Sequence, residues 1–303
     1  MKIGIDIGGS HIATGIILEK GKMIAKESRD IDIASIDSEK RVQQIILDTI
    51  QHEIKLLLDA NDYTIGDISK IGIAVPGVPS DECIKNVVNL HIKKFDLANE
   101  LNRIYKTKIK LKNDGKCAGL AEKKYGALQK YDDAIFLCLG TGVGSAVFLN
   151  GELLEPSKNP GFEFGHMVID KNGIECNCGN KGCFETFASM KRFKNNAIKE
   201  LKLPKDVQSE ELQEFIRKNI EKEDVHKYVD NYLENVAIGL ANLINIFEPQ
   251  AICFGGSFSY YQDVFLPILK PKLKKYVFNK GEKIDLIPAK LRNDAGIIGA
   301  SEI

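Results

Sequence analysis

Two α/β domains are the architecture this sequence predicts, and three observations point to it. The chain has 303 residues, more than one hydrophobic core usually organises, and 44% of them are apolar, enough to fill two. A strand, a glycine-rich turn and a second strand open the chain (KIGIDIG, Gly8-Gly9-Ser10, HIATGIILE). The same pattern returns at residues 134–151 (AIFLCLG, Thr141-Gly142-Val143-Gly144, SAVFLNG), and stretches of helical periodicity follow each opening. No solenoid-length repeat and no low-complexity tract is present, so this echo is the internal repetition that matters.

In order along the chain, KIGIDIG, HIATGIILE and KMIAKESRD are separated by turn signals and predict an antiparallel meander. Val42, Ile45, Ile46, Ile50, Ile54, Leu57 and Leu58 lie on one helical face of 38–60, with Ser38 as N-cap. A strand is expected at Ile71 to Val75, running into Pro76-Gly77. A helix at Phe95 to Tyr105, a strand at Ile109 to Leu111 and a helix at Gly115 to Tyr125 follow. The second half continues with helical stretches from Glu185 to about Ile220 and from Asp224 to Phe247. The strand AICFGG, a helix from Asp263 to Tyr276, a strand near Ile284 to Ile287 and a final helix in DAGIIGASEI complete it. The smaller domain is expected at 1–114 with 292–303 returning to it, and the larger at 115–291, the two facing a cleft.

Forty-two basic and 42 acidic residues leave no net charge, so neither nucleic acid nor an anionic membrane is an expected partner. The lysine run Lys270, Lys272, Lys274, Lys275, Lys280 and Lys283 lacks interleaved aromatics and reads as a solvated face. MKIGIDIGG is not a secretory leader and no run approaches a membrane span, which predicts a cytoplasmic protein. Cys83, Cys117, Cys138 and Cys253 stand apart and read as small core residues rather than disulfide partners.

The other three cysteines carry more information. His166 is followed by Cys176, Cys178 and Cys183, an imidazole and three thiolates that complete a closed tetrahedral zinc site. Closed sites hold loops rather than break bonds. Gly179 and Gly182 permit the sharp turns that return Cys178 and Cys183 to one point, and Glu163 and Glu185 flank the cluster. The paired ligand spacing of a nucleic-acid-binding zinc finger is missing.

Gly8-Gly9-Ser10, Gly140 to Gly144 and Gly255-Gly256-Ser257 each end a strand, where backbone N–H groups can approach phosphate without a Cβ in the way. None is a Walker A loop or a full dinucleotide-binding fingerprint. Asp6 precedes the first turn by two residues and would set a carboxylate beside phosphates and magnesium. Asn113-Asp114 closes another strand before a helix, where Asp114 serves either as general base or as helix cap.

This combination resembles the ROK family of sugar kinases and repressors, within the actin-like, hexokinase-like (ribonuclease H-like) ATPase fold. The matching segments run in the family's order over nearly the whole chain: DIGGSH, GIAVPG, VNL at 88–90, KNDGKCAGLAE, LGTGVG, FEFGH with CNCGNKGCFE, ICFGGS and NDAGIIGA. The resemblance implies transfer of the γ-phosphoryl of ATP to a sugar hydroxyl. The 6-hydroxyl of glucose comes first, ahead of fructose, mannose, allose or an N-acetylhexosamine. Asp114 would be the general base; Asn113, Glu163, His166 and Glu185 would bind the sugar. Asp6, Gly8, Gly9, Ser10, Thr141 and Gly142 would face phosphates and magnesium, and Gly255 and Gly256 the adenosine. His166 would serve both zinc and sugar, and a homodimer is implied, with Asp224 to Phe247 as a candidate interface helix.

The family's repressors carry a helix-turn-helix domain ahead of the kinase-like part; here the phosphate strand begins at Lys2, which favours the kinase. A sugar-binding pseudoenzyme is disfavoured because Asp6, Asn113, Asp114, Glu163 and Glu185 are all present. The departures from the family's pattern are Ser10 and His11 in place of Thr and then Lys or Asn, Phe162 in place of Gly, and Lys116 in place of Ala. Phe162 is expected to reshape the sugar pocket and Lys116 to act on Asp114.

Overall fold

In a computed structural model of the chain, all residues are described except 34, 35, 37, 78, 81, 88, 89, 157–160, 281 and 282. The chain divides into Met1–Gln129 with Leu291–Ile303, called unit 1, and Lys130–Lys290, called unit 2. Val88 and Asn89 of the VNL motif lie outside the described residues.

Unit 1 is built on β1 (Lys2–Ile7), β2 (His11–Ile17), β3 (Met23–Asp30), α1 (Glu39–Ala60) and β4 (Lys70–Val75). β5 (Ile84–Val87), β6 (Ile92–Phe95), α2 (Leu97–Tyr105), β7 (Lys108–Asn113), α3 (Asp114–Tyr125) and a closing helix Ala295–Ala300 complete it. Its main sheet has the order β3-β2-β1-β4-β7. β1 is antiparallel to β2 and parallel to β4, and β4 is parallel to β7, so the meander passes into a parallel half.

Strands covered on both faces are apolar almost throughout. Ile3, Ile5 and Ile7 of β1 share one core with Val42, Ile46 and Ile50 of α1. On the opposite face Ala13 and Ile17 meet Ile297, and Ala74 meets Cys117 and Ala300. The closing helix lies against the sheet backbone to backbone. A Cβ on Gly4 would fall 1.9 Å from the Ile297 carbonyl oxygen, and one on Gly72 would fall 1.7 Å from that of Ala300.

Several local expectations are corrected. Ser38 stands at the N-cap of α1 in extended conformation, but its side chain makes no capping hydrogen bond. The helix expected from Phe95 begins at Leu97, because Phe95 pairs with Ile84 in a β5–β6 hairpin. The domain boundary expected at 114/115 falls at 129/130, because α3 packs on the closing helix and on the β4–β7 side of the sheet. Glu122 of α3, fully buried, accepts hydrogen bonds at 2.7 Å from the Ala127 and Leu291 amides.

Unit 2 repeats the arrangement. Its strands are β8 (Ala134–Leu139), β9 (Val143–Leu149), β10 (Glu152–Leu153), β11 (Ala251–Gly255) and β12 (Asp285–Pro288), in the order β10-β9-β8-β11-β12. Again the first strand is antiparallel to the second and parallel to the fourth. The helices are α4 (Glu185–Ala188), α5 (Met190–Glu200), α6 (Ser209–Asn219), α7 (Glu223–Phe247) and α8 (Gln262–Tyr276). The single helical stretch expected from Glu185 to Ile220 is therefore three helices, interrupted at Ser189 and across 201–208, where Pro204 stands. The apolar face of α7, the candidate interface helix, lies in the core with Ile135, Leu137, Phe254 and Phe265. Among the described residues no helix is long and apolar enough to cross a membrane.

Candidate functional site

In unit 1, β1, β4 and β7 run parallel, so their carboxyl ends present Gly8–His11, Pro76-Gly77 and Asn113-Asp114 on one edge of the sheet. That edge is where open α/β sheets bind ligands. The Gly8 amide donates to the His11 carbonyl at 2.9 Å and closes the β1–β2 turn. A Cβ on Gly8 would meet the His11 ring at 2.9 Å, whereas Gly9 has open space beside it and Ser10 is exposed. Asn113 rather than Asp114 caps α3: its Oδ1 accepts from the Lys116 amide at 3.1 Å, and its Nδ2 donates to the Gly77 carbonyl at 2.8 Å. Asp114 is the first helical residue, half-buried, and accepts from the Gly115 amide at 2.7 Å. Lys116, expected to act on Asp114, is buried in the first turn of α3.

Asp6 is the acidic residue of β1. Burial, then the nearby Asp114 charge, push its carboxyl from 3.8 up to about 7, with Lys26 pulling the other way. Gly296 of the closing helix makes room for it, since a Cβ there would lie 2.1 Å from Asp6 Oδ2. The first turn, Asp6, Asn113 and Asp114 thus belong to one unit and one sheet edge. Two interacting acids, one with its carboxyl raised towards neutrality by its surroundings, form a site that favours a cation or a proton.

In unit 2 the parallel pair β8 and β11 brings the Gly140–Gly144 turn beside Gly255-Gly256. Gly256, at φ 67°, packs so closely that a Cβ would fall 2.5 Å from the Leu139 carbonyl oxygen. Thr141 is exposed and Gly140 has open space beside it. Glu185 begins α4, and its Oε2 accepts from the Val143 amide at 2.9 Å, which ties this acid to the glycine turn. A Cβ on Gly142 would stand 2.4 Å from the same oxygen, so glycine there admits a carboxylate of the protein itself. Glu163 precedes a 3-10 turn, Phe164–His166, and its carbonyl accepts from the His166 amide at 3.1 Å.

Phe162 adopts φ 61°, the left-handed region that residues with a Cβ disfavour by roughly 1 kcal/mol or more relative to glycine. Its carbonyl accepts from the Ser145 hydroxyl at 2.7 Å, and its ring rests on the unit 2 core. Sequence reasoning missed Ser145, the Val143 amide and Gly296; a lone hydroxyl in the apolar strand VGSAVFL was the available signal for the first.

His166, Cys176, Cys178 and Cys183 come together. Their ligand atoms all lie within 4.8 Å of one another, with Cys176 Sγ 3.7 Å from His166 Nδ1 and Cys178 Sγ 3.6 Å from Cys183 Sγ. Tetrahedral zinc with sulfur ligands at about 2.3 Å has edges of roughly 3.8 Å, so the donor set and its spacing fit that ion. Gly179 and Gly182, at φ 91° and 71°, make the turns, and a Cβ on Gly182 would collide with the Asp170 carbonyl. Burial first, then the neighbouring sulfurs, push the Cys183 thiol up to about 12, while the Asn180 amide lowers Cys178. A bound cation would favour all three thiolates. His166 directs Nδ1 to the sulfurs and is exposed, which leaves Nε2 for another partner.

The chain is 29% identical over 306 residues to the xylose repressor of Bacillus subtilis (strain 168), covering 99% of this chain and 76% of the repressor. It is 29% identical over 321 residues to the glucokinase of Thermotoga maritima, covering 99% of this chain and 96% of that enzyme. A crystal structure of a ROK family glucokinase from Streptomyces griseus in complex with glucose and AMPPNP superposes with a TM-score of 0.82 at 22% identity, over 99% and 98% of the two chains. The fold is accordingly the actin-like, hexokinase-like one. The ROK family model matches residues 2–303, nearly the whole length, and this chain belongs to the ROK family.

Proposed function

We propose that the protein is an ATP-dependent hexose kinase, with the 6-hydroxyl of glucose as the foremost acceptor. The observation that carries this reading is Asp114, a half-buried carboxylate at the head of α3 and electrostatically coupled to Asp6 on the same sheet edge. The Thermotoga maritima glucokinase and the Streptomyces griseus structure with glucose and AMPPNP support it.

In the proposed reaction the sugar hydroxyl oxygen forms a bond to the γ-phosphorus as the bond to the β-phosphate oxygen breaks. Asp114 accepts the hydroxyl proton, and ADP leaves with the electron pair. Asn113, Glu163, His166 and Glu185 orient the sugar through its other hydroxyls. Asn113 presents an amide already fixed at both ends, and Glu185 a carboxylate steadied by the Val143 amide. Gly8, Gly9, Ser10, Thr141 and Gly142 offer amide and hydroxyl donors to the phosphates, and Gly255 and Gly256 lie beside the adenosine. Magnesium bound with ATP would supply charge neutralisation between the phosphates, and Asp6 is the carboxylate whose ionised form it would restore. Zinc on His166, Cys176, Cys178 and Cys183 would be structural, fixing the loop that carries His166 and ends at Glu185.

ADP release coupled to hexose addition, with ATP and magnesium present, tests the reading. One strongly preferred sugar is expected, and Asp114→Asn should bind sugar and ATP while turning over roughly two to four orders of magnitude more slowly. Unchanged turnover would remove Asp114 from the mechanism. A second reading, a sugar-responsive regulator, is favoured by the resemblance to the xylose repressor. Sugar binding with no ADP release from any hexose would move the assignment there.

A further inference from the structure

Strand β9 leaves the glycine turn and within three residues touches both acid-bearing segments of unit 2. The Val143 amide holds the Glu185 carboxylate, and the Ser145 hydroxyl holds the carbonyl of Phe162, the residue before Glu163. Ser145 is 3% exposed, and phosphoryl transfer as proposed above makes no use of it. Phe162 stands in left-handed backbone geometry that a phenylalanine does not keep unaided. Among the described residues, the ring on the core of the unit and the carbonyl on Ser145 hold it there. Beyond Glu163, Phe164 is buried against Phe247 with ring centroids 5.4 Å apart.

We propose that Ser145 is a positioning residue for the sugar, a role that rests on the kinase reading. Its hydroxyl locks the left-handed turn at Phe162 and thereby fixes the direction from which Glu163 meets the substrate. Glycine at 162 would take this geometry freely and need no lock; phenylalanine makes the serine necessary. Strand β9 then acts as a ruler, setting Glu185 through an amide and Glu163 through a hydroxyl two residues on.

The test is a set of four proteins: the unmodified chain, Ser145→Ala, Phe162→Gly and the double variant. Hexose and ATP kinetics, calorimetric hexose binding and metal content are measured on each. Losing one buried hydrogen bond should raise the hexose KM of Ser145→Ala roughly three- to tenfold. Turnover, ATP KM and metal content should stay unchanged, and Ser145→Thr, which keeps the hydroxyl, should recover much of the loss. In the Phe162→Gly background the same serine change should have a clearly smaller effect on hexose KM. An unaltered hexose KM in Ser145→Ala, an equal loss for hexose and ATP, or an effect of the same size in both backgrounds would overturn the role. If the unmodified chain neither turns over nor binds any hexose, the kinase reading fails and this role fails with it. Hexose turnover with an indifferent Ser145→Ala overturns this role alone.

Discussion

Glu53 projects from α1 into the interior of unit 1 with 1% of its surface exposed. Thr14 donates to its Oε2 at 2.5 Å, while Oε1 has no hydrogen-bond partner within ordinary geometry among the described residues. Burial outweighs the Thr14 bond and the attraction of Arg29, and raises this carboxyl from 4.5 to about 7. The folded protein therefore holds a proton that the unfolded chain has released. Stability falls as pH rises from about 4.5 towards 7 and levels off above that. Asp6 adds a decline of the same sign between 3.8 and about 7. Denaturant midpoints measured across this interval should drop less for Glu53→Gln than for the unmodified chain, and parallel drops would place the sensitivity elsewhere. Asp6 and Asp114 could be read from sequence because each stands beside its own glycine turn or strand end. Glu53 could not: at its place in EIKLLLDA it is one more charge on an amphipathic helix, and only the approach of β2 buries it.

The segment from His166 to Glu185 was the most legible element, since ligand chemistry and glycine spacing are both local. If the proposed zinc occupies this cluster, a Cys178→Ser chain should lack the metal found in the unmodified chain by elemental analysis and bind hexose more weakly through Glu163, His166 and Glu185; retention of one metal ion per chain would remove Cys178 from the ligand set. The β5–β6 hairpin was less legible because Lys85, Lys93 and Lys94 dilute its apolar residues, leaving Ile84, Val87, Ile92 and Phe95 buried. The stretch after Glu185 read as continuous because its apolar residues keep helical spacing across Ser189. The breaks come from tertiary packing and from Pro204.

For the molecule as a whole, two sheets of matching strand order were foreshadowed by the repeated strand–turn–strand opening. Their completion was not, because β4, β7, β11 and β12 join by parallel pairing over long stretches of sequence. The glycines under the closing helix make a sharp prediction. Gly72→Ala puts a methyl against the Ala300 carbonyl, a backbone group that cannot swing aside, and should destabilise unit 1 by about 1–3 kcal/mol in denaturant titration. An unchanged midpoint would mean that the helix is free to lift from the sheet.

The closing helix also orders events in time. A ribosome delivers β1 and β4 long before residues 295–300, yet those residues cover the backbone of Gly4 and Gly72. Unit 2, contiguous from Lys130 to Lys290, has all its strands and helices before unit 1 receives its lid. The strands of unit 1 are thus made before unit 2 but covered only after it, and in the interval that face of the nascent sheet stands open.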